Sequence, residues 1–552
     1  MVETNRQPDK KGISTIGLSP FKSNLYRMLW VAALFSYVGA AMYDVGASWL
    51  MTSIAPNPLF VSLITTATSL PILLFALPSG ILSDIFDRRR ILVTTSAYMF
   101  IISAALGILT LVGLTTTTVL LVFTFALGAG TTLIRTPIIP TMTGLVSKKE
   151  LPDALTLSAL ASNLGRVIGP IVAGFIVSAI APWAVFFINS ASFIGMMLIL
   201  SKLPKSPDIS SYPQQSSLPP ENLIRGIRIQ IRYIRYSRAA HVLIIRAGLF
   251  TVCSSALLSL LPLLAKHDLG LDSIGFGLLL GSFGVGAIIG GTLILPKLRP
   301  RASVESLITV SIALLAIVTF TMGYVQFFEI ACMVMGLGGI AFITIISEFY
   351  TIGVKSAPRW IGARVLAVYL LVLNGGLVVG SLVWGTLANI SGIPFALSVA
   401  SLALAATLIA RKRYSSTLLD DLDFTPASDH WSLPPQSSID PSQVDNHALI
   451  TIEYNKIDPK LSDEFQRNVH ELGRMLKSEG MAYWELFQDP ADKGHYIEIR
   501  IADTWTDHMR QHEYVTKNVQ DMENKIRELI KDSPQPIISH FIGKTPLGSH
   551  SF

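Results

Sequence analysis

Four ionisable residues stand where an apolar sequence makes them expensive. Asp44, Arg135, Arg166 and Glu348 each lie inside a long run of mostly apolar residues. A charge at the centre of a hydrocarbon layer costs on the order of 2.5–3.5 kcal/mol, so it is kept beside a partner or a polar cavity. A carboxylate whose surroundings change between two conformations can take up a proton in exchange for another solute. Asp44 is the candidate for that role, with Arg166 biasing its protonation and Arg135 pairing near the same cavity. At 1.5 Å per residue, Asp44 lies ~27 Å along a helix begun at Tyr26, and Arg166 ~18 Å along one begun at Ala154. That places Asp44 past the midplane and Arg166 close to it. Arg135 and Glu348 fall near the ends of their runs that adjoin basic loops, and Arg246 opens its run, where its head group can snorkel. A static buried ion pair is the alternative reading of these residues.

The remaining candidates carry less chemistry. Cys253 and Cys332 both sit in apolar runs and read as small buried hydrophobes. Near the C-terminus, His508, His512, His540, Glu485 and Glu498 are the groups an enzyme could use. None shows metal-ligand spacing or a nucleophile arrangement, so no catalytic residue, metal or cofactor is expected. His512, in Arg510-Gln-His512-Glu, reads as a surface residue at a helix end.

The elements that must position these residues follow from composition. The chain has 552 residues, 51% hydrophobic and 14% charged, with mean hydropathy +0.52, whereas soluble domains are roughly 25% charged. Lipid is the implied solvent. A helix crossing about 30 Å of hydrocarbon needs roughly 20 apolar residues. Such runs occur near 26–53, 58–82, 91–113, 116–140, 154–179, 183–202, 241–265, 274–296, 303–324, 327–350, 362–388 and 394–410, which predicts twelve transmembrane helices. The separators alternate. Arg88-Arg89-Arg90, Lys148-Lys149, Lys202 to Arg238, Lys297-Arg299-Arg301, Lys355-Arg359-Arg364 and Arg411-Lys412-Arg413 are basic; those between are nearly uncharged, with Lys266 the exception. By the positive-inside rule the basic set and both termini are cytoplasmic, in a bacterial inner membrane. The polar start and over-long first run argue against a cleaved signal peptide.

The expected organisation is a cytoplasmic tail (1–25), a six-helix bundle (26–202), a cytoplasmic linker (203–240), a second six-helix bundle (241–413), a flexible linker (414–445) and a cytoplasmic α+β domain (446–545). In the first linker, Arg225, Arg228, Arg232, Arg235 and Arg238 share one helix face. That face reads either as a membrane-surface helix that meets anionic lipid or as a solvated linker, and in neither case as a nucleic-acid site. Two six-helix halves joined by a long loop suit a transporter that rocks one bundle against the other around a midplane site.

Two motifs carry a resemblance. Gly80-Ile-Leu-Ser-Asp84-Ile-Phe-Asp87-Arg88-Arg89-Arg90 joins the second and third runs, where a glycine permits close helix approach and opposite charges can form a clasp. It resembles the signature loop of the major facilitator superfamily, Gly-x-Leu-x-Asp-Arg-x-Gly-Arg-Arg, but departs at Ile85 and at Asp87; the latter is similar to the branch of enterobactin exporters, the transmembrane secretion effectors. The bare alternative is a topology determinant. In the fifth run, Asn163-Leu-Gly165-Arg166-Val-Ile-Gly169-Pro170-Ile-Val-Ala-Gly174 puts Gly165 and Gly169 on one face before a proline kink. It resembles that superfamily's antiporter motif, with Ala173 for one glycine and Thr156 where an earlier glycine is common. A plain packing motif is the alternative. Pro358 to Arg364, Asn374-Gly375-Gly376 and Gly380 to Gly385 look like the same branch. The resemblance spans residues 20–410 and implies the major facilitator fold and export, as in enterobactin and macrolide exporters.

After residue 446 the pattern reads strand, helix, strand, strand, helix, strand, with Phe465, Val469, Leu472 and Leu476 on the first helix face and a second helix over Tyr514 to Lys531. That order implies a ferredoxin-like sandwich similar to antibiotic-biosynthesis monooxygenase modules, which dimerise through their sheets. The expected activity is proton-coupled export of a siderophore or other small amphiphilic compound or drug. A homodimer through the tail is the expected assembly. An enzymatic or sensing tail and a lipid flippase are the alternatives.

Overall fold

The computed structural model describes residues 17–147, 149–202, 238–355, 359–410, 446–478, 481–513 and 515–543. The arginine-bearing stretch through Arg235 and the linker after Arg413 lie outside them. The first six helices are α1 (Asn24–Ile54), α2 (Pro58–Ile85), α3 (Arg88–Leu111), α4 (Thr117–Thr143), α5 (Leu151–Ala179) and α6 (Pro182–Lys202). The next six are α7 (Arg238–Leu263), α8 (Ser273–Ile289), α9 (Val304–Met322), α10 (Phe328–Lys355), α11 (Arg359–Ser391) and α12 (Ile393–Ala410). Among the described residues, eleven helices are long and apolar enough to cross a membrane, and the twelfth expected run forms a shorter apolar helix over Ile393–Ile409. Helices form because lipid offers no partner to backbone amides, and only a helix satisfies its own. Their starts are set by short polar side chains: Asn57, Thr116 and Ser303 accept from the first-turn amides of α2, α4 and α9.

The described helices fall in two compact units. One holds the first half and most of the second. There α1 is stitched to α5 by Tyr26 Oη donating to Ala154 O at 3.0 Å and Trp30 Nε1 donating to Leu157 O at 2.8 Å. Likewise α3 meets α6 where Ser103 Oγ donates to Phe186 O at 2.8 Å and Asn189 Nδ2 to Ser103 Oγ at 3.1 Å. Such bonds matter because two apolar helices gain little from leaving lipid for each other.

The other unit holds the ends of α7, α10 and α11 and a C-terminal sheet domain. The sheet is four-stranded: β1 (Ala448–Tyr454), β2 (Tyr483–Gln488), β3 (Tyr496–Ala502) and β4 (Ile537–Ile542), in the order β2-β3-β1-β4, with every pair antiparallel. The helices are α13 (Ser462–Ser478), α14 (Trp505–Glu513) and α15 (Lys517–Leu529). Phe465, Val469, Leu472 and Leu476 are buried as their spacing requires, with Ile450, Ile452, Val519 and Ile526 in the same core. The expected second helix is α15, and a further short helix, α14, precedes it. Its apolar residues are only Trp505 and Met509, one turn apart in the core, and it starts where Thr504 Oγ1 accepts from Asp507 N at 3.1 Å while donating to Asp507 Oδ2 at 2.7 Å. Thr516 then caps α15.

Candidate functional site

The antiporter-like segment of α5 packs in two directions. Gly165 and Gly169 face α1: a Cβ at 165 would lie 2.7 Å from Tyr37 Cβ, and one at 169 would lie 2.5 Å from Ala41 Cβ. Only hydrogen fits at either position. Further along, Gly174 faces the N-terminus of α8, where Ser273 Oγ donates to Gly174 O at 3.0 Å. Gly277 packs on the carbonyl of Pro170, and Gly284 lies against Val167 and the carbonyl of Arg166. The helix therefore joins α1 of its own half to α8 of the other.

This packing sets the heights of the charged groups. Tyr37 is level with Gly165 and Ala41 with Gly169, so α1 and α5 run in the same direction. Asp44 then lies level with residue 172, about 9 Å beyond Arg166 along the axis. Arg166 lies within electrostatic reach of Arg135 and Tyr37, and Tyr37 lies within reach of both arginines. All three ionisable residues are exposed on otherwise apolar helices. None is hydrogen-bonded or ion-paired to a described residue in α1 through α6. The structure thus brings Arg135 and Arg166 together around Tyr37, with Asp44 on a separate level. Beside it, Tyr43 Oη and Thr124 Oγ1, 2.8 Å apart, tie α1 to α4. Glu348 is fully buried near the end of α10 and belongs to the other unit. Arg246 is buried rather than snorkelling.

In the loop between α2 and α3, Asp87 caps α3: its Oδ1 accepts from Arg89 N at 2.7 Å and Arg90 N at 3.2 Å. The Arg89 guanidinium donates to the carbonyl of Ser201 at the end of α6, and Arg90 is exposed. Arg88 Nε is buried without a hydrogen-bond partner among the described residues. Gly80 does not mediate close packing in this conformation, because a Cβ there would meet nothing within 4 Å. The side chain of Asp84 lies outside the described residues.

The opposite ends of these helices are in contact across the halves. Thr66 Oγ1 and Ser381 Oγ are 2.8 Å apart between α2 and α11. Lys266 Nζ donates to Ser53 Oγ at 2.8 Å and Thr52 Oγ1 at 3.3 Å, and sits 5.5 Å above the Trp49 ring, which stacks on Phe276. The lone basic residue in a nearly uncharged set of loops therefore has a local partner set.

In the C-terminal domain, Glu485 and Glu498 point to opposite faces of the sheet. Glu498 is fully buried and accepts from Tyr454 Oη at 2.9 Å, Trp484 Nε1 at 2.7 Å and Arg500 Nε at 2.6 Å; Arg500 also meets Glu523 at 3.3 Å. Burial opposes the Arg500 charge, but the two carboxylates outweigh it and raise its pKa.

Three histidines that the chain spacing keeps apart come together here. His508 and His512 are one turn apart on α14, His540 lies opposite Ile450 on the inner face of β4, and a ligand nitrogen of each falls within 4.8 Å of the others. His512 is half-buried against this cluster rather than a surface residue. Burial, then His512, His540 and Arg500, push the His508 pKa down to about 2, so its ring is neutral. Sequence spacing offered only the four-residue step between His508 and His512; the third histidine arrives through the sheet.

Known proteins place this architecture. The sequence matches the transmembrane secretion effector family over residues 15–546. It is 23% identical over 266 residues to a staphyloferrin A transporter of Staphylococcus aureus, covering 47% of this chain and 64% of that one, so the match stops short of two thirds of that relative. It is 23% identical over 320 residues to macrolide efflux protein A of Streptococcus pyogenes, covering 56% of this chain and 76% of that one. In fold it is similar to a bacterial homologue of the human lysosomal transporter Spinster, with TM-score 0.60 at 15% identity over 74% of this chain and 100% of that one. The nucleoside transporter NupG is similar too, with TM-score 0.60 at 11% identity, covering 71% and 99%. The chain belongs to the transmembrane secretion effector family of the major facilitator superfamily, a family of multi-pass membrane transporters.

Proposed function

We propose that this transporter exports a siderophore or another small amphiphilic compound in exchange for protons, from a bacterial inner membrane with both chain ends in the cytoplasm. Twelve spans, counting α12, give that topology. The observation that carries the reading is Asp44, a carboxylate exposed on an apolar helix with no ion-pair partner among the described residues of its half. A carboxylate kept in a span at such a cost is a group that a transporter can use for coupling. Arg135 and Arg166 line the substrate cavity at the level of Tyr37, and Glu348 is a further group in the coupling path. The clasp of Gly80, Asp84, Asp87, Arg88, Arg89 and Arg90 closes the cytoplasmic side in the alternate state, while Gly165, Gly169, Pro170 and Gly174 form the hinge surface. The names of the two relatives, a staphyloferrin transporter and a macrolide efflux protein, support the substrate class.

The test is efflux of labelled siderophores and macrolides from cells carrying wild type or Asp44→Asn, with and without a protonophore. Export lost in the variant and under protonophore is expected; full proton-dependent efflux from the Asp44→Asn cells would refute the assignment. Efflux indifferent to both treatments would favour a lipid flippase.

For the tail, the strand order β2-β3-β1-β4 supports a ferredoxin-like sandwich. Its outer face carries Tyr483, Phe487, Ile537 and Phe541, each more than 40% exposed, beside Ile499 and Ile501. A second copy of the domain is the occupant proposed for that face. Ile499→Arg should turn a dimer of the detergent-solubilised full chain into a monomer by light scattering; a wild type that is already monomeric would end the idea.

A further inference from the structure

The His508, His512 and His540 cluster lies on the inner side of the C-terminal sheet, on elements that follow the last span. The Nε2 atoms of His508 and His512 are 3.2 Å apart. Two nitrogens bound at about 2.0–2.1 Å to one tetrahedral ion stand about 3.3 Å from each other, so this pair already has the separation of neighbouring ligands. The His540 ring lies 5.2 Å from that of His508 and 6.0 Å from that of His512, centroid to centroid. One ring nitrogen of each histidine lies within 4.8 Å of one on each of the others, so bringing three of them to ligand spacing takes a movement of about 1.5 Å, within the swing of a half-buried imidazole.

The cluster is expensive as mere packing. His508 is buried between the helix and the sheet, in hydrogen-bond contact with the half-buried His512, and taking its ring out of water carries a desolvation cost. A shared ion would offset that cost. Their supports are rigid: His508 and His512 project from a capped helix, and His540 sits in a paired strand. Trp505 walls the cluster, its ring 5.5 Å from His508 and 6.4 Å from His540.

We propose that His508, His512 and His540 bind one divalent first-row transition-metal ion of the zinc and cobalt class. Three neutral nitrogens and no thiolate suit such ions and not magnesium or calcium. Three protein ligands leave one position for water or a small donor, the arrangement of an open site rather than a closed structural one. The site gives the tail a metal-responsive role that does not depend on what the membrane helices carry.

The test uses the full chain in detergent with a histidine-free tag, stripped with chelator and titrated with Co2+. Visible d–d absorption reports coordination, Trp505 fluorescence reports proximity, and Zn2+ serves as competitor. Wild type should bind one Co2+ per chain with the absorption of a four-coordinate ion, quench tryptophan emission and lose the ion to Zn2+. His512→Gln and His540→Gln should each weaken binding at least about ten-fold, whereas His470→Gln on α13 should leave it unchanged. Wild type without a d–d band, or a His512→Gln/His540→Gln double variant that binds like wild type, would overturn the proposal. Because the first of these outcomes is read on wild type, a variant that misfolds does not protect the idea.

Discussion

Alanine at position 169 is the smallest change that tests how α5 is held against α1. The added Cβ would stand 2.5 Å from Ala41 Cβ and 2.9 Å from Val38 O, where carbon atoms in contact prefer about 3.5–4.0 Å. Relief requires the two helices to part by about 1 Å over that turn. Overpacking of this kind costs about 1–3 kcal/mol, and 1–2 kcal/mol alone changes a folded ratio roughly 5- to 30-fold. Ala41→Gly removes the first clash but leaves the carbonyl, so the double variant Ala41→Gly/Gly169→Ala should recover part of the loss. A coupling of about 0.5–3 kcal/mol is expected between positions in direct contact. The assay is the fraction of monodisperse protein that survives a graded heat step in detergent, measured for wild type, both single variants and the double. Efflux by the same four proteins is followed in cells. If Gly169→Ala is as stable as wild type, or the cycle shows no coupling, α1 and α5 do not meet at this turn and the helix levels derived from it fail.

Two further outcomes follow from single side chains. Asp87→Ala should destabilise the start of α3 by about 1 kcal/mol, whereas Asp87→Asn keeps an accepting oxygen and should cost only a few tenths. Heat stability reads that cap alone, and an Asn variant that is stable yet inactive in efflux would separate a clasp role from the cap. Glu498→Gln should destabilise the tail by about 3 kcal/mol, because it removes one of the two carboxylates that compensate the buried Arg500. The measurement is tryptophan emission of the full chain during urea titration, and an unshifted tail transition would show that Glu523 suffices to compensate the guanidinium.

The sequence by itself determined the elements. Each span could be read because lipid acts on every segment separately: a backbone in hydrocarbon must bond to itself, and some twenty apolar residues announce it without reference to neighbours. The buried stripe of α13 was equally local, since Phe465, Val469, Leu472 and Leu476 share a face by helical geometry alone. The four-residue glycine step of α5 correctly announced a packing surface, but not that Gly165 and Gly169 would meet α1 while Gly174 met α8. What touches what was decided by tertiary structure, because it depends on the register between elements distant in the chain. Span depth already set Asp44 about 9 Å beyond Arg166, and the contact of Tyr37 with Gly165 gives the same offset, but that Arg166 lies within reach of Arg135 and Tyr37 depends on the packing of three helices. Glu485 and Glu498 look like a pair until the pairing of β2 with β3 puts Glu485 opposite Ile499, out of phase with Glu498. His540 reaches His508 and His512 only because β4 pairs with β1 and α14 packs across the same inner face. Spacing along a chain records the period of one element, and a cluster drawn from a helix and a strand has no period to record.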